Sequence, residues 1–94
     1  MNTEAKYTNT NKKLNLDILK WRSRRGMLEL DLLLIDFIDK NYEKLDSNQL
    51  LQYYNLLEEN DTDLYSWFIE DVEVPKKELL EVIDMIKNYS LSNN

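Results

Sequence analysis

Between Met27 and Tyr42 the apolar residues Leu30, Leu33, Leu34, Phe37, Ile38 and Tyr42 recur at steps of three and four. That spacing predicts an α-helix with one buried face, because such steps return a side chain to the same side of a helix. Leu28, Leu32 and Ile35 are expected to widen that face, which makes this helix the central one. A chain of 94 residues has room for a single core to pack against it. One Gly and one Pro leave few sites for the tight turns of an all-β fold. Helices joined by short polar turns are the economical solution.

Signals for the other helices follow along the chain. Residues 1–13 are polar and without period, and read as a disordered arm. A short helix is expected over Asn15–Arg24, with Leu19 and Trp21 among its apolar positions, stopped by Gly26 after a basic last turn. Asp46 with Gln49 three residues on has the spacing of a capping box, ahead of Leu50, Tyr53, Tyr54 and Leu57. Asn60-Asp61-Thr62 offers an N-cap before Leu64, Trp67 and Phe68, with Trp67 read as a core aromatic. Pro75 is expected to open the last helix, whose face is Leu79, Leu80, Ile83, Ile86 and Tyr89, with fraying from Ser90 onward. The expected fold class is all-α: a compact five-helix bundle with one long central helix, occupying residues 14–90 as a single domain.

Composition narrows the function. The chain has no Cys, which removes disulfides and thiolate metal sites, and no His, the usual acid–base group near neutral pH. Catalysis by the chain itself is therefore not expected. The net charge of -6 argues against generic nucleic-acid binding. It is unevenly spread: Lys6, Lys12, Lys13, Lys20, Arg22, Arg24 and Arg25 face only Glu4 and Asp17 within residues 1–26, while residues 46–73 hold eight acids and no base. A molecule with a positive and a negative end suits an oriented protein contact. No stretch approaches the ~18 apolar residues of a membrane span, and residues 1–13 lack signal- or transit-peptide features. Membrane insertion is not expected, and the expected location is a bacterial cytoplasm.

Two constellations stand out. In Trp21-Arg22-Ser23-Arg24-Arg25-Gly26-Met27-Leu28-Glu29-Leu30-Asp31, the plain reading is a helix end, a glycine turn and an acidic first turn of the next helix. The sharper reading is a docking point: two guanidiniums and an aromatic beside a residue whose missing side chain admits close approach. The second constellation is the acidic run from Glu58 to Asp63. Asp61 and Asp63 open like a calcium loop, but Ser66 stands at the glycine position and Val72 where the closing Glu belongs, so a calcium site is not expected.

Trp21-x-x-Arg24-Arg25-Gly26-Met27-x-Glu29-Leu30-Asp31 resembles the signature of the succinate dehydrogenase FAD assembly factors. So does Leu56-Leu57-Glu58-x-x-Asp61-x-Asp63-Leu64-x-x-Trp67, at the family's usual distance downstream. Together they extend the resemblance over about residues 15–89; it departs at Asp61-Thr62, where the family often has Asp-Pro. The resemblance implies a five-helix protein that binds the flavoprotein subunit of succinate dehydrogenase, and in some bacteria that of fumarate reductase. It promotes covalent attachment of FAD to a histidine of that subunit. The family's Arg-Gly-x-x-Glu motif falls on Arg25, Gly26 and Glu29, and the corner would face the flavin region of the partner.

On that basis the partner-binding residues are expected to be Arg24, Arg25, Gly26, Met27, Glu29 and Asp31. Arg25 would contact a carboxylate or a polar group of the flavin cavity, or stabilise negative charge developing on the flavin, and Glu29 would either fix Arg25 or pair with a partner cation. No cofactor is expected to be tightly bound, because the FAD belongs to the partner and the chain lacks a Gly-rich dinucleotide fingerprint. The effect would then be conformational, favouring the flavoprotein arrangement in which FAD and histidine are aligned. The alternative reading is an adaptor that binds nucleic acid or ribosome through Lys20, Arg22, Arg24 and Arg25. Glu29 and Asp31 as a catalytic carboxylate pair is the weakest reading, since positions i and i+2 point to different sides of a helix.

Overall fold

A computed structural model describes residues 14–92. Five α-helices are formed among them: α1 Leu16–Arg22, α2 Leu28–Asn41, α3 Ser47–Leu56, α4 Asp61–Phe68 and α5 Leu80–Ser92. Short 3₁₀ turns, Tyr42–Lys44 and Lys77–Leu79, lead out of α2 and into α5. The expected arm, residues 1–13, lies outside the described residues. Helix α2 packs on α1, α4 and α5, while α3 packs on α5. At 14 residues α2 is only one longer than α5, so its central role comes from its three neighbours rather than its length.

The core follows the predicted stripe. Leu30, Leu34, Phe37 and Ile38 of α2 are buried, and they meet Leu19, Tyr53, Leu56, Leu57, Leu64, Trp67, Val82, Ile83 and Ile86. Trp67 is thus a core aromatic, as read from the sequence. The expectation for Leu28 and Leu32 is overturned: they are 72% and 64% exposed. The reason is angular, since α2 is apolar around more of its circumference than its neighbours can cover. Leu80 is likewise exposed, and Val82 takes its place inside.

Caps mark the helix starts. Asp46 and Gln49 close the predicted box: Gln49 N–H donates to Asp46 Oδ1 at 2.8 Å and Asp46 N–H to Gln49 Oε1 at 3.0 Å. Asn60 Oδ1 accepts from Asp63 N–H at 2.8 Å. Two boundaries differ from expectation. Helix α1 stops at Arg22 rather than Arg24, because Ser23 N–H is shared between Leu19 O and Lys20 O and Arg24 N–H turns to Trp21 O at 3.2 Å, a tighter i to i−3 closure. Pro75 sits in the connection before the Lys77–Leu79 turn, so it restricts the approach to α5 rather than opening it.

Ser23 and Tyr53 form the polar element of the interior. Ser23 Oγ donates to Leu19 O at 2.7 Å and lies 2.7 Å from Tyr53 Oη, which is 3.1 Å from Leu34 O. Burial pushes the Tyr53 phenol far above its ordinary pKa, so it stays a neutral donor. These contacts tie α3 to the end of α1 and the middle of α2. Tyr53→Phe is expected to lower stability by about 1–2 kcal/mol, because Ser23 then lacks its buried partner. Thermal unfolding followed by circular dichroism checks this, with an expected fall in Tm of roughly 5–10 °C.

Candidate functional site

The turn between α1 and α2 is built by three residues acting on the backbone. Gly26 has φ +82°, a left-handed conformation that a side chain makes costly. Among the described residues, a Cβ placed there would meet nothing within 4 Å beyond its two chain neighbours, so the turn is open on that side. Asp31, one turn into α2, reaches back to it: its Oδ1 accepts from Arg25 N–H at 2.6 Å and its Oδ2 from Gly26 N–H at 3.3 Å. Met27 occupies the N-cap of α2 without a capping side-chain bond and packs against the core.

Arg25 points into its own chain. Its Nε donates to Asp61 Oδ1 at 2.7 Å, Nη1 to Arg22 O and Leu57 O at 3.0 and 2.9 Å, and Nη2 to Glu59 O at 2.8 Å. The carbonyls of Leu57 and Glu59 lie just beyond α3, where a helix end leaves acceptors without intrahelical donors. One planar fork therefore fastens three pieces together: the end of α1, the end of α3 and the first turn of α4. Its side chain is only 14% exposed. The expectation that Arg25 reaches out to a partner is therefore corrected: the guanidinium is a clamp within the domain. Glu29 does not hold it. That carboxylate is exposed and accepts from Tyr65 Oη at 3.2 Å.

The outward groups at this corner are Arg24, Gly26 and Glu29, all exposed. Among the described residues the Arg24 side chain forms no hydrogen bond or ion pair. The four cations of the adaptor reading do not make one free basic face. Lys20 pairs with Asp39 at 3.1 Å, and Arg22 pairs with Glu58 at 2.6 Å while lying over the Tyr54 ring. Arg25 is clamped. The charge separation along the chain is thus folded back on itself, with the acidic α3–α4 turn seated against the basic corner.

Sequence reasoning missed two features. Asp61 and the carbonyl of Glu59, read only as part of an acidic run, complete the clamp. Leu28 and Leu32, read as core, are presented to solvent beside Trp21, which is 74% exposed. The available signal was an α2 sequence too apolar for one face.

The fold and the corner define a small all-helical protein that presents an internally braced arginine–glycine turn to solvent. The chain belongs to the family described as the flavinators of succinate dehydrogenase, whose model matches residues 18–90. It is 51% identical over 70 residues to the FAD assembly factor SdhE of Legionella pneumophila (strain Paris), covering 74% of this chain and 87% of that protein. Identity to the FAD assembly factor SdhE of Pseudomonas aeruginosa is 41% over 68 residues, 72% of this chain and 81% of that one. A mitochondrial succinate dehydrogenase assembly factor 2 of Dictyostelium discoideum is 38% identical over 77 residues, 82% of this chain and 55% of that longer protein. No solved structure matches the chain. Among the described residues no helix is long and apolar enough to cross a membrane.

Proposed function

We propose that this protein binds the flavoprotein subunit of succinate dehydrogenase and promotes covalent attachment of FAD to it. The observation that carries this reading is the braced turn of Arg25, Gly26 and Glu29, intact in a chain of the flavinator family. The chain contains no His, so a histidine that accepts the flavin comes from the partner. The contribution of this chain is to favour one arrangement of that subunit, and ~1.4 kcal/mol of preferential binding enriches it about tenfold. Within the turn, Gly26 admits the partner's backbone, while Arg24 and Glu29 offer charges of opposite sign on either side. Arg25 and Asp31 act indirectly by holding the turn in shape. FAD remains with the partner throughout, and the flavoprotein of fumarate reductase is a second client of the same surface.

Reconstitution tests this. Purified flavoprotein subunit lacking flavin is incubated with FAD, with and without this protein, and covalent flavin is read by fluorescence after denaturing electrophoresis. A several-fold faster gain of fluorescent subunit is expected when the protein is present. Equal rates in both reactions would remove the assembly role.

A further inference from the structure

The ridge of α2 that faces solvent carries Leu28 and Leu32, one helical turn apart and 72% and 64% exposed. A groove runs on each side. One, about 390 Å³, lies between α2, α4 and α5 and is lined by Glu29, Leu33, Asp36, Phe68, Ile69 and Tyr89. The other, about 410 Å³, lies between α1 and α2 and includes Lys20, Arg24, Leu28, Ile35 and Asp39. Leu32 and Asp36 line both. We infer that this ridge and its grooves continue the partner-binding surface from the corner along α2, and that they take a segment of the flavoprotein subunit presenting an apolar side chain beside a lysine or arginine. The inference rests on the assembly-factor reading above.

Three observations carry it. First, lone exposed leucines are ordinary, but two stacked on one ridge between grooves make a contiguous apolar patch of the kind that marks an interface. Second, the ridge is continuous with the corner: Leu28 lies between Gly26 and Glu29, and Glu29 opens the first groove. Third, the first groove carries negative charge: Glu29 and Asp36 line it with no base among its lining residues, whereas Lys20 and Arg24 offset the acids of the second. Asp36 stands between the grooves, its carboxyl held below the ordinary carboxylate range by the Tyr89 hydroxyl at 2.5 Å, with Lys40 adding to the effect. Each oxygen of an ionised carboxylate accepts more than one hydrogen bond, so a partner cation still finds an acceptor there. A second copy of this chain fits less well. Twofold pairing through the first groove brings its acids Glu29 and Asp36 near those of the other copy, with no base among that groove's lining residues to offset them, and like charges there cost affinity.

The test compares the protein with Leu32→Arg, Asp36→Asn and, outside both grooves, Leu51→Arg. Leu51 is 47% exposed on α3, away from both grooves, and serves as the control. Affinity for the purified flavoprotein subunit is measured by calorimetry at low and high salt, with circular dichroism and light scattering on each variant. Leu32→Arg is expected to weaken binding at least tenfold while remaining folded. Asp36→Asn should weaken it several-fold at low salt and less at high salt, and Leu51→Arg should stay within twofold of the parent. If the parent binds and Gly26→Val does not, yet Leu32→Arg binds like the parent, the corner stands and the ridge is overturned. A parent dimer that Leu32→Arg dissociates, with flavoprotein affinity unchanged, assigns the ridge to a second copy and also overturns the inference. A parent that fails to bind the flavoprotein removes the assembly-factor reading itself.

Discussion

Gly26→Val is expected to give a folded helical domain that binds the flavoprotein subunit at least a hundredfold more weakly. Two effects act together. The left-handed backbone at φ +82° disfavours any L side chain, and a β-branched one most, at about 1–2 kcal/mol of stability. That cost is tolerable, because among the described residues no atom beyond the two flanking residues lies within 4 Å of an added Cβ, and the helices on either side keep their cores. The same open space is where a partner's backbone would come, so the added methyl groups collide with the partner and not with the domain. Binding by calorimetry and folding by circular dichroism separate the two effects. A chemically synthesised chain with D-alanine at position 26 sharpens the result, since a D residue accepts positive φ without strain while its methyl replaces the other α-hydrogen: loss of binding there assigns that side of Gly26 to close approach by the partner.

Arg25→Ala is expected to have the largest effect on the domain itself. It leaves Asp61 without its cation and the carbonyls of Arg22, Leu57 and Glu59 without a shared donor. Removing one partner from a largely buried charged network costs more than the network contributes, since the remaining groups are stranded. Asp61 is partly open to water and recovers some hydration, so a loss of about 3 kcal/mol is expected rather than the upper end of such effects. For a domain of this size that corresponds to a Tm lower by roughly 15 °C. Arg25→Lys keeps the charge but offers a point donor in place of a planar fork, and should recover less than half of the loss. Thermal melts of the two variants check the ranking. If Arg25→Lys and Arg25→Ala melted like the parent while flavoprotein binding was lost, Arg25 would be an outward ligand and not a clamp.

This arrangement explains why the two sequence motifs occur together in one chain. Arg25 belongs to the first and Asp61 to the second, and they meet at 2.7 Å. The acidic turn after α3 is not a separate functional surface but the anchorage of the corner. Arg22 with Glu58, and Lys76 with Glu59 at 2.7 Å, reinforce the same junction. Such partly exposed pairs contribute modestly one by one, yet both draw the acidic turn toward cationic neighbours.

Local chemistry made several elements readable in advance. The Asp46–Gln49 box and the Asn60 cap form from residues three apart, and need no knowledge of the rest of the chain. The period of Leu30, Leu34, Phe37 and Ile38 defined the inner face of α2 in the same way. Gly26 announced a turn because it is the single residue that takes positive φ freely. Periodicity could not say how wide the covered arc of α2 would be. That depends on how far α1, α4 and α5 wrap around it, so Leu28 and Leu32 read as core and emerged as surface.

The order of helices, their caps, the inner stripe of α2 and the presence of a glycine corner are properties of neighbouring residues, and the sequence alone determined them. The direction of Arg25 is different. Three of its four acceptors lie more than thirty residues away along the chain, at Leu57, Glu59 and Asp61. No local rule distinguishes a guanidinium that reaches out from one that reaches in, because both preserve the same charge and spacing. Tertiary structure decided it by bringing a helix end with unsatisfied carbonyls within reach, and so divided the motif into residues that brace the turn and residues left facing solvent.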